Sequence, residues 1–363
     1  MKDTKKLVLN LIKPPGVSGR EAAIREDLRR RWEPLVDEIR VNRLGSLYGL
    51  KYGCSSSREG GTSRQLSRER PRVVLSAHMD TIGLMVSGFH GPLLRVTRVG
   101  GADLRVLPGQ LVRVHGRETV TGVVIRLPEA LLPEDASSQV LQWEHMMVDV
   151  GLSEKRLREL FQVGDVITFD QEPLVLGEHH LAGPGLDNRA SLACLTLVLE
   201  KLQGRKIPWD LFLVATIAEE ERGVGARTSG FDLDPTLAVV LDVTFGRGPG
   251  TQDHQAYPLG GGITLGWGPS IHPGLYRRFR DLAEKEGIPW TREPLPVRSG
   301  TDADHFQVAA SGVPTMLISL PLRYMHTPVE MLDLRDVEAA SQLLLAFLTD
   351  QAWDLGELWG KVE

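Results

Sequence analysis

Five places in this 363-residue chain put groups capable of acid–base or metal chemistry directly after short apolar runs. Val-Val-Leu-Ser-Ala delivers His78, with Asp80 two residues on, and Gly-Pro-Gly-Leu leads into Asp187 and Asn188. Leu-Phe-Leu-Val-Ala-Thr-Ile-Ala ends in Glu219, Glu220 and Glu221; Leu-Ala-Val-Val-Leu precedes Asp242; Pro-Thr-Met-Leu-Ile-Ser-Leu-Pro leads on to His326. Taken singly, each has an ordinary structural explanation. His78 could be a core histidine, Asp187 a helix N-cap, the three glutamates a solvated loop face, and His326 a turn residue. Together they suit a borderline divalent cation, because zinc accepts both imidazole nitrogen and carboxylate oxygen. Acids gathered without a cation would repel one another and carry raised pKa values; a pair of metal ions resolves that conflict. Asp80 is placed to hydrogen-bond the non-ligating nitrogen of His78 and fix its tautomer. If Glu219 and Glu220 lie in extended backbone, their side chains diverge, and one can ligate while its neighbour faces water.

These residues need elements to hold them at one end of a sheet, and open α/β sheets bind ligands at the carboxyl ends of their strands. Val73 to Ala77, Leu211 to Ala218, Leu237 to Val243 and Val313 to Pro321 read as buried strands. Helical periodicity appears from about Arg20 to Trp32, Asn188 to Gln203, Leu275 to Glu286 and Val337 to Leu348. Between Ser87 and Gly177 the texture changes to short β-rich pieces, Leu-Leu-Arg-Val-Thr-Arg-Val and Leu-Arg-Val-Leu-Pro-Gly-Gln-Leu-Val-Arg-Val among them. The expected architecture is therefore α/β, a mixed sheet sandwiched by helices, with a small β-barrel domain inserted. A discontinuous catalytic domain would span 1–86 and 178–363, and the insert 87–177. The Ser- and Arg-rich stretch from Cys54 to Arg70 reads as a loop.

Composition narrows the partners. Lysine plus arginine number 42 against 47 acids, a formal charge of -5 without a basic face, which argues against nucleic acid. No apolar run approaches the roughly 20 residues that cross a bilayer. The run Leu7 to Ile12 is too short for a signal core, and two cysteines in unrelated contexts match no disulfide framework. A reducing, cytoplasmic setting is expected.

The runs Ser-Ala-His-Met-Asp-Thr-Ile-Gly-Leu-Met-Val, Gly-Pro-Gly-Leu-Asp-Asn-Arg-Ala-Ser, Thr-Ile-Ala-Glu-Glu-Glu-Arg-Gly-Val-Gly-Ala-Arg, Val-Leu-Asp-Val-Thr, Ser-Gly-Thr-Asp-Ala-Asp-His-Phe and Arg-Tyr-Met-His-Thr-Pro-Val-Glu-Met occur in this order. In order and spacing the chain, from about Pro15 to Leu348, resembles the tetrahedral aminopeptidases, the glutamyl-aminopeptidase and cellulase-M-like group of dinuclear metallopeptidases. The resemblance implies a dinuclear zinc exopeptidase-like fold with two divalent ions per chain, zinc first, cobalt or manganese otherwise. His78, Asp187 and Asp242 would hold one ion, and Asp187, Glu220 and His326 the other, with Asp187 bridging. Glu219 would be the general base and Asp80 the orienter of His78, acting on peptides through a metal-bridging hydroxide. It also implies a homo-oligomer, built from dimers and reaching a tetrahedral dodecamer, with the insert taking part in contacts. Thr81 stands where relatives often carry glutamate, and Asp304 and His305 add polar bulk beside an expected substrate wall. Rival readings are a deacylase or carboxypeptidase with the same metal site, a metal-free endoglucanase with a carboxylate pair, and a non-catalytic scaffold.

Overall fold

A computed structural model describes residues 1–54, 70–126 and 141–350. The expected loop between Cys54 and Arg70 falls almost wholly outside the described residues. An eight-stranded mixed sheet runs in the order Glu38–Val41, Leu47–Lys51, Asp210–Thr216, Arg72–His78, Leu237–Phe245, Thr315–Leu322, Ile263–Trp267, Trp290–Pro294. The central four strands, from Asp210–Thr216 to Thr315–Leu322, are mutually parallel. They read as continuous apolar runs because helices cover both faces, so neither side of the pleat meets water.

On one face lies the helix Leu186–Lys201, buried along nearly its whole circumference between the sheet and the helices Lys2–Leu11, Ala22–Trp32 and Leu334–Thr349. Ala190, Ser191 and Ala193 keep it slim enough for that close packing. Trp32 is fully buried and its indole N–H donates to Thr196 Oγ1 at 3.0 Å, so the largest side chain of the interface leaves no polar group stranded. The opposite face is covered by the helices Val224–Leu233 and Asp302–Gln307.

Between the strands Arg72–His78 and Asp210–Thr216 the chain closes a six-stranded antiparallel barrel from Gly83–His90, Leu93–Val99, Met146–Asp149, Thr119–Arg126, Leu111–His115 and Val166–Phe169. Its strands alternate, so Leu84, Val86, Leu94, Val96, Val112, Val114 and Val148 fill a separate core. One β-rich expectation fails here. Leu104–Val106 is a 3-10 turn, because the Asp103 carboxylate accepts the Arg105 N–H at 3.0 Å and Pro108 with Gly109 delays the next strand to Leu111. Among the described residues no helix is long and apolar enough to cross a membrane.

Candidate metal centre

Parallel register sets the centre at one end of the sheet. His78 is the last residue of its strand and pairs with Thr216, the last of the neighbouring strand, so Glu219 and Glu220 emerge at the same edge. Asp242 lies in the strand on the other side of His78, opposite Ser319 of the strand that leads to His326. Asp187 enters from the start of the central helix, whose Asn188 Nδ2 donates to Leu241 O at 2.9 Å and anchors it to the Asp242 strand.

The structure brings all seven predicted site residues together. His78 Nε2 lies 3.1 Å from Asp187 Oδ1 and 3.7 Å from Asp242 Oδ1. His326 Nε2 lies 3.4 Å from Asp187 Oδ2 and 3.4 Å from Glu220 Oε2. Asp187 thus offers one oxygen to each histidine. Two groups able to hold an ion follow, His78 with Asp187 and Asp242, and Asp187 with Glu220 and His326, the ligand atoms of each within 4.8 Å of one another. Zinc–ligand bonds of about 2.0–2.2 Å in a tetrahedron imply ligand–ligand edges of roughly 3.4 Å, the spacing seen here. Glu220 Oε1 is buried and has no partner, as expected of a donor set built for a cation.

The electrostatics agree. Burial pushes the carboxyls of Glu219, Glu220 and Asp242 above their usual range, and the crowding of neighbouring acids adds to it. Burial acts to raise Asp187 too, but hydrogen bonds to His326 and His78 outweigh it and hold that carboxyl low. Burial alone would depress His78, yet Asp187, Asp242 and Asp80 together raise it well above its ordinary value. Buried acids outnumber the imidazoles, an imbalance of charge that divalent cations would offset.

Asp80 does more than was expected of it. Its carboxylate stands 3.5 Å from His78 Nδ1, and its backbone carbonyl is closer, at 3.1 Å. The carboxylate oxygens also accept the N–H groups of Glu219 (3.1 Å) and Glu220 (3.2 Å) and the hydroxyl of Ser18 (2.5 Å). The expected extended backbone at the glutamates is not found. Glu219–Arg222 is a helical turn entered through Ala218 at φ 51°, and Asp80 caps its first N–H groups. The two side chains diverge by helical rotation: Glu220 turns to His326, and Glu219 Oε2 lies 3.8 Å from His78 Nε2, outside both ion-holding groups.

Three buried acids were missed. Glu330 accepts the N–H of Asp187 at 3.0 Å and of His326 at 3.1 Å, tying the backbones of two distant chain segments. With the Asp103 N–H donating to His326 O at 3.1 Å, it holds His326 at φ 63°. Glu21, at the start of the stretch with helical periodicity, is buried and accepts the N–H groups of Gly19 (2.7 Å) and Ala218 (3.2 Å). Asp302, raised by burial to about 7, takes the Thr216 hydroxyl at 2.5 Å. Glu330 stood within the Arg-Tyr-Met-His-Thr-Pro-Val-Glu-Met run, but nothing local distinguishes a buried glutamate that accepts backbone N–H groups from an exposed one.

A cavity of about 960 Å³ opens on the centre, walled on one side by Pro294 to Thr301. Asp304 and His305 are not among its lining residues. Asp304 braces the wall from behind by accepting the N–H groups of Ser299 and Gly300, both at 3.0 Å, and His305 packs on Gly223. Thr81 likewise stays out of the centre, its N–H donating to Gly16 O at 2.9 Å.

The sequence pattern described as M42 glutamyl aminopeptidase matches residues 61–343. The lysyl aminopeptidase of Pyrococcus furiosus is 33% identical over 351 residues, covering 95% of this chain and 96% of the relative. Among solved structures, the TET aminopeptidase of a marine-sediment Thaumarchaeota archaeon superposes with a TM-score of 0.88 at 26% identity, covering 99% of both chains. The TET1 peptidase of Pyrococcus horikoshii, described as assembling into a tetrahedron or a large octahedral shell, gives 0.81 at 27% identity over 96% of this chain and 99% of its own. A match over most of the length, carried on the same α/β sheet and barrel, makes this chain a member of the M42 glutamyl aminopeptidase family and a hydrolase of peptide bonds.

Proposed function

We propose that this aminopeptidase is metal-dependent, holding two divalent ions and removing single N-terminal residues from peptides. His78, Asp187 and Asp242 hold one ion, and Asp187, Glu220 and His326 the other. The observation that carries this reading is the two-sided use of Asp187, one carboxylate oxygen toward each histidine. When bound, such ions acidify a water and polarise the scissile carbonyl.

The chain's own residues supply the rest. Glu219 belongs to neither ligand set and, unlike Asp80, lines the cavity. It takes the proton of the attacking water and returns it to the departing amine, a role that requires reach to both atoms and a carboxyl basic enough to accept. Burial raises it in that direction. Asp80 positions both partners, through His78 Nδ1 and through the N–H of Glu219. We further propose that the discontinuous α/β part is the catalytic domain, that the inserted barrel, whose first strand begins at Gly83 and not at the expected boundary of 87, serves oligomer contacts and access, and that the chain forms a homo-oligomer based on dimers, up to a tetrahedral dodecamer. Its likeness to the TET1 peptidase supports the assembly.

A panel of aminoacyl-anilides, offered to chelator-stripped protein with Zn²⁺, Co²⁺ or Mn²⁺ added back, tests the reading. Stripped protein should be inert, add-back should restore cleavage of anilides with a free amine, and N-acetylated anilides should stay intact. Activity indifferent to chelation, or equal cleavage of acetylated substrates, would refute it.

The barrel reaches this centre as well. Gly100 N–H donates to Glu221 at 2.7 Å, and a Cβ on Gly101 would lie 2.4 Å from His326 Nδ1. Gly101→Ala should displace the imidazole and weaken binding of one ion by roughly 10- to 100-fold, the scale on which disturbed ligand positioning acts. Metal titration of the variant checks this, with one tight ion and one weak ion per chain as the expected result.

A further inference from the structure

The same cavity is lined by a carboxylate that the reaction above does not use. Glu293 is buried, 8% exposed, on the edge strand Trp290–Pro294. Its Oε1 accepts the Thr244 hydroxyl and its Oε2 the Thr264 hydroxyl, each at 2.6 Å, and Ser319 adds a third hydroxyl nearby. Among the described residues no lysine, arginine or histidine stands within ion-pair distance of it. Its neighbour Arg292 alternates to the other side of the strand, donating to Tyr276 Oη at 2.7 Å and lying over the rings of Tyr276 and Trp267. The basic side chains that do line the cavity away from the centre, Arg298 and His254, are exposed. A buried carboxylate held by hydroxyls alone lacks a counter-charge, and a cation entering the cavity would supply one.

The geometry sets the size of that group. Asp242 and Thr244 lie on one face of their strand, two residues and so about 6.6 Å apart. Glu293 is hydrogen-bonded to Thr244, and Asp242 is close enough to act on it electrostatically, so it faces the metal ligands across the same cavity. Leu295 and Leu317 add apolar surface to the lining of the same cavity. A lysine stem of four methylenes spans about 6 Å and ends in a compact ammonium with three donors.

We propose that Glu293 is a specificity-determining residue that selects a cationic side chain, lysine before arginine, at the N-terminal position of the peptide. The ammonium pairs with the carboxylate between Thr244 and Thr264, and the stem packs on the apolar wall. An acidic residue would meet like charge at the same point. This rests on the metal-centre reading above, which puts the scissile bond beside Asp187 and Asp242.

The test compares lysyl-, arginyl-, norleucyl- and glutamyl-anilides on metal-loaded protein. Norleucine keeps the length of the stem and lacks the ammonium. In the unaltered protein kcat/KM for lysyl should exceed that for norleucyl by roughly 10- to 100-fold, the range of a charge-assisted hydrogen bond. Glu293→Gln should bring that ratio down by about tenfold or more. Thr264→Val, which removes one hydroxyl from the carboxylate and keeps its charge, should leave lysyl preferred over norleucyl. A native preference for norleucyl or glutamyl would overturn the proposal, as would an unchanged ratio in Glu293→Gln. Should no anilide be cleaved with any metal, the aminopeptidase mechanism fails instead. Calorimetry with lysinamide and norleucinamide then still decides whether Glu293 recognises the cation, through the same ratio.

Discussion

Glu219→Gln should lower kcat by roughly 10³-fold while two ions per chain remain bound, because in the proposed mechanism it removes the proton acceptor and no metal ligand. Glutamine keeps the shape of the side chain, and the turn that carries it is fixed by backbone contacts to Asp80, so the site should otherwise be unaltered. KM should move little, since proton transfer is an interaction of the transition state. The deciding measurement is metal content alongside turnover. If the variant loses an ion, Glu219 is a ligand and its partner Glu220 the base, and the assignment must be reversed. If turnover falls by less than about tenfold, proton transfer is handled by another group.

Asp187→Ala should have the opposite signature, losing metal and activity together. Asp187 is the only residue common to both ion-holding groups, so one substitution strips an oxygen from each. Each ion would lose a direct oxygen donor and its share of the negative charge, so affinity should fall by more than the 10- to 100-fold that disturbed outer ligands cost, about 10³-fold or beyond. His326→Ala provides the contrast, because it touches one group and leaves the other intact. Thermal denaturation gives an activity-independent readout. An ion at about 1,000 times its Kd stabilises a folded chain by about 4 kcal/mol, a shift in Tm of several degrees that Asp187→Ala should not show on metal addition. Two ions retained by Asp187→Ala at native affinity would end the shared-ligand reading.

Strands and helices were legible because their signals are local. The buried strand ending at His78, the one ending before Glu219 and the one carrying Asp242 are unbroken apolar runs, and such runs have few other solutions in a chain of this size. Their boundaries moved by one to three residues, as at Thr216 and Lys201, where capping and register decide the end. The Leu104–Val106 turn was misread as strand because its apolar residues alternate, while the cap that defines it is a single aspartate before them.

What the sequence determined by itself is the set of groups available at strand ends and the order in which they arrive. Parallel buried strands carry their polar residues toward the same carboxyl end, whether at the end of the strand as His78, within it as Asp242 or just after it as the glutamates, and that brings them to one rim. What only the tertiary structure decided is the division of labour among them. Glu219 and Glu220 are separated by a helical turn that depends on Asp80, 139 residues earlier, and on Ala218 in a left-handed conformation held by Glu21. Glu330 and Glu293 look in sequence like any surface acid. Their burial comes from contacts with segments far along the chain, Asp187 in one case, Thr244 and Thr264 in the other. Local periodicity carries which face a residue takes, whereas the partner that satisfies a buried charge is chosen by packing between elements, and packing is not written at any one position.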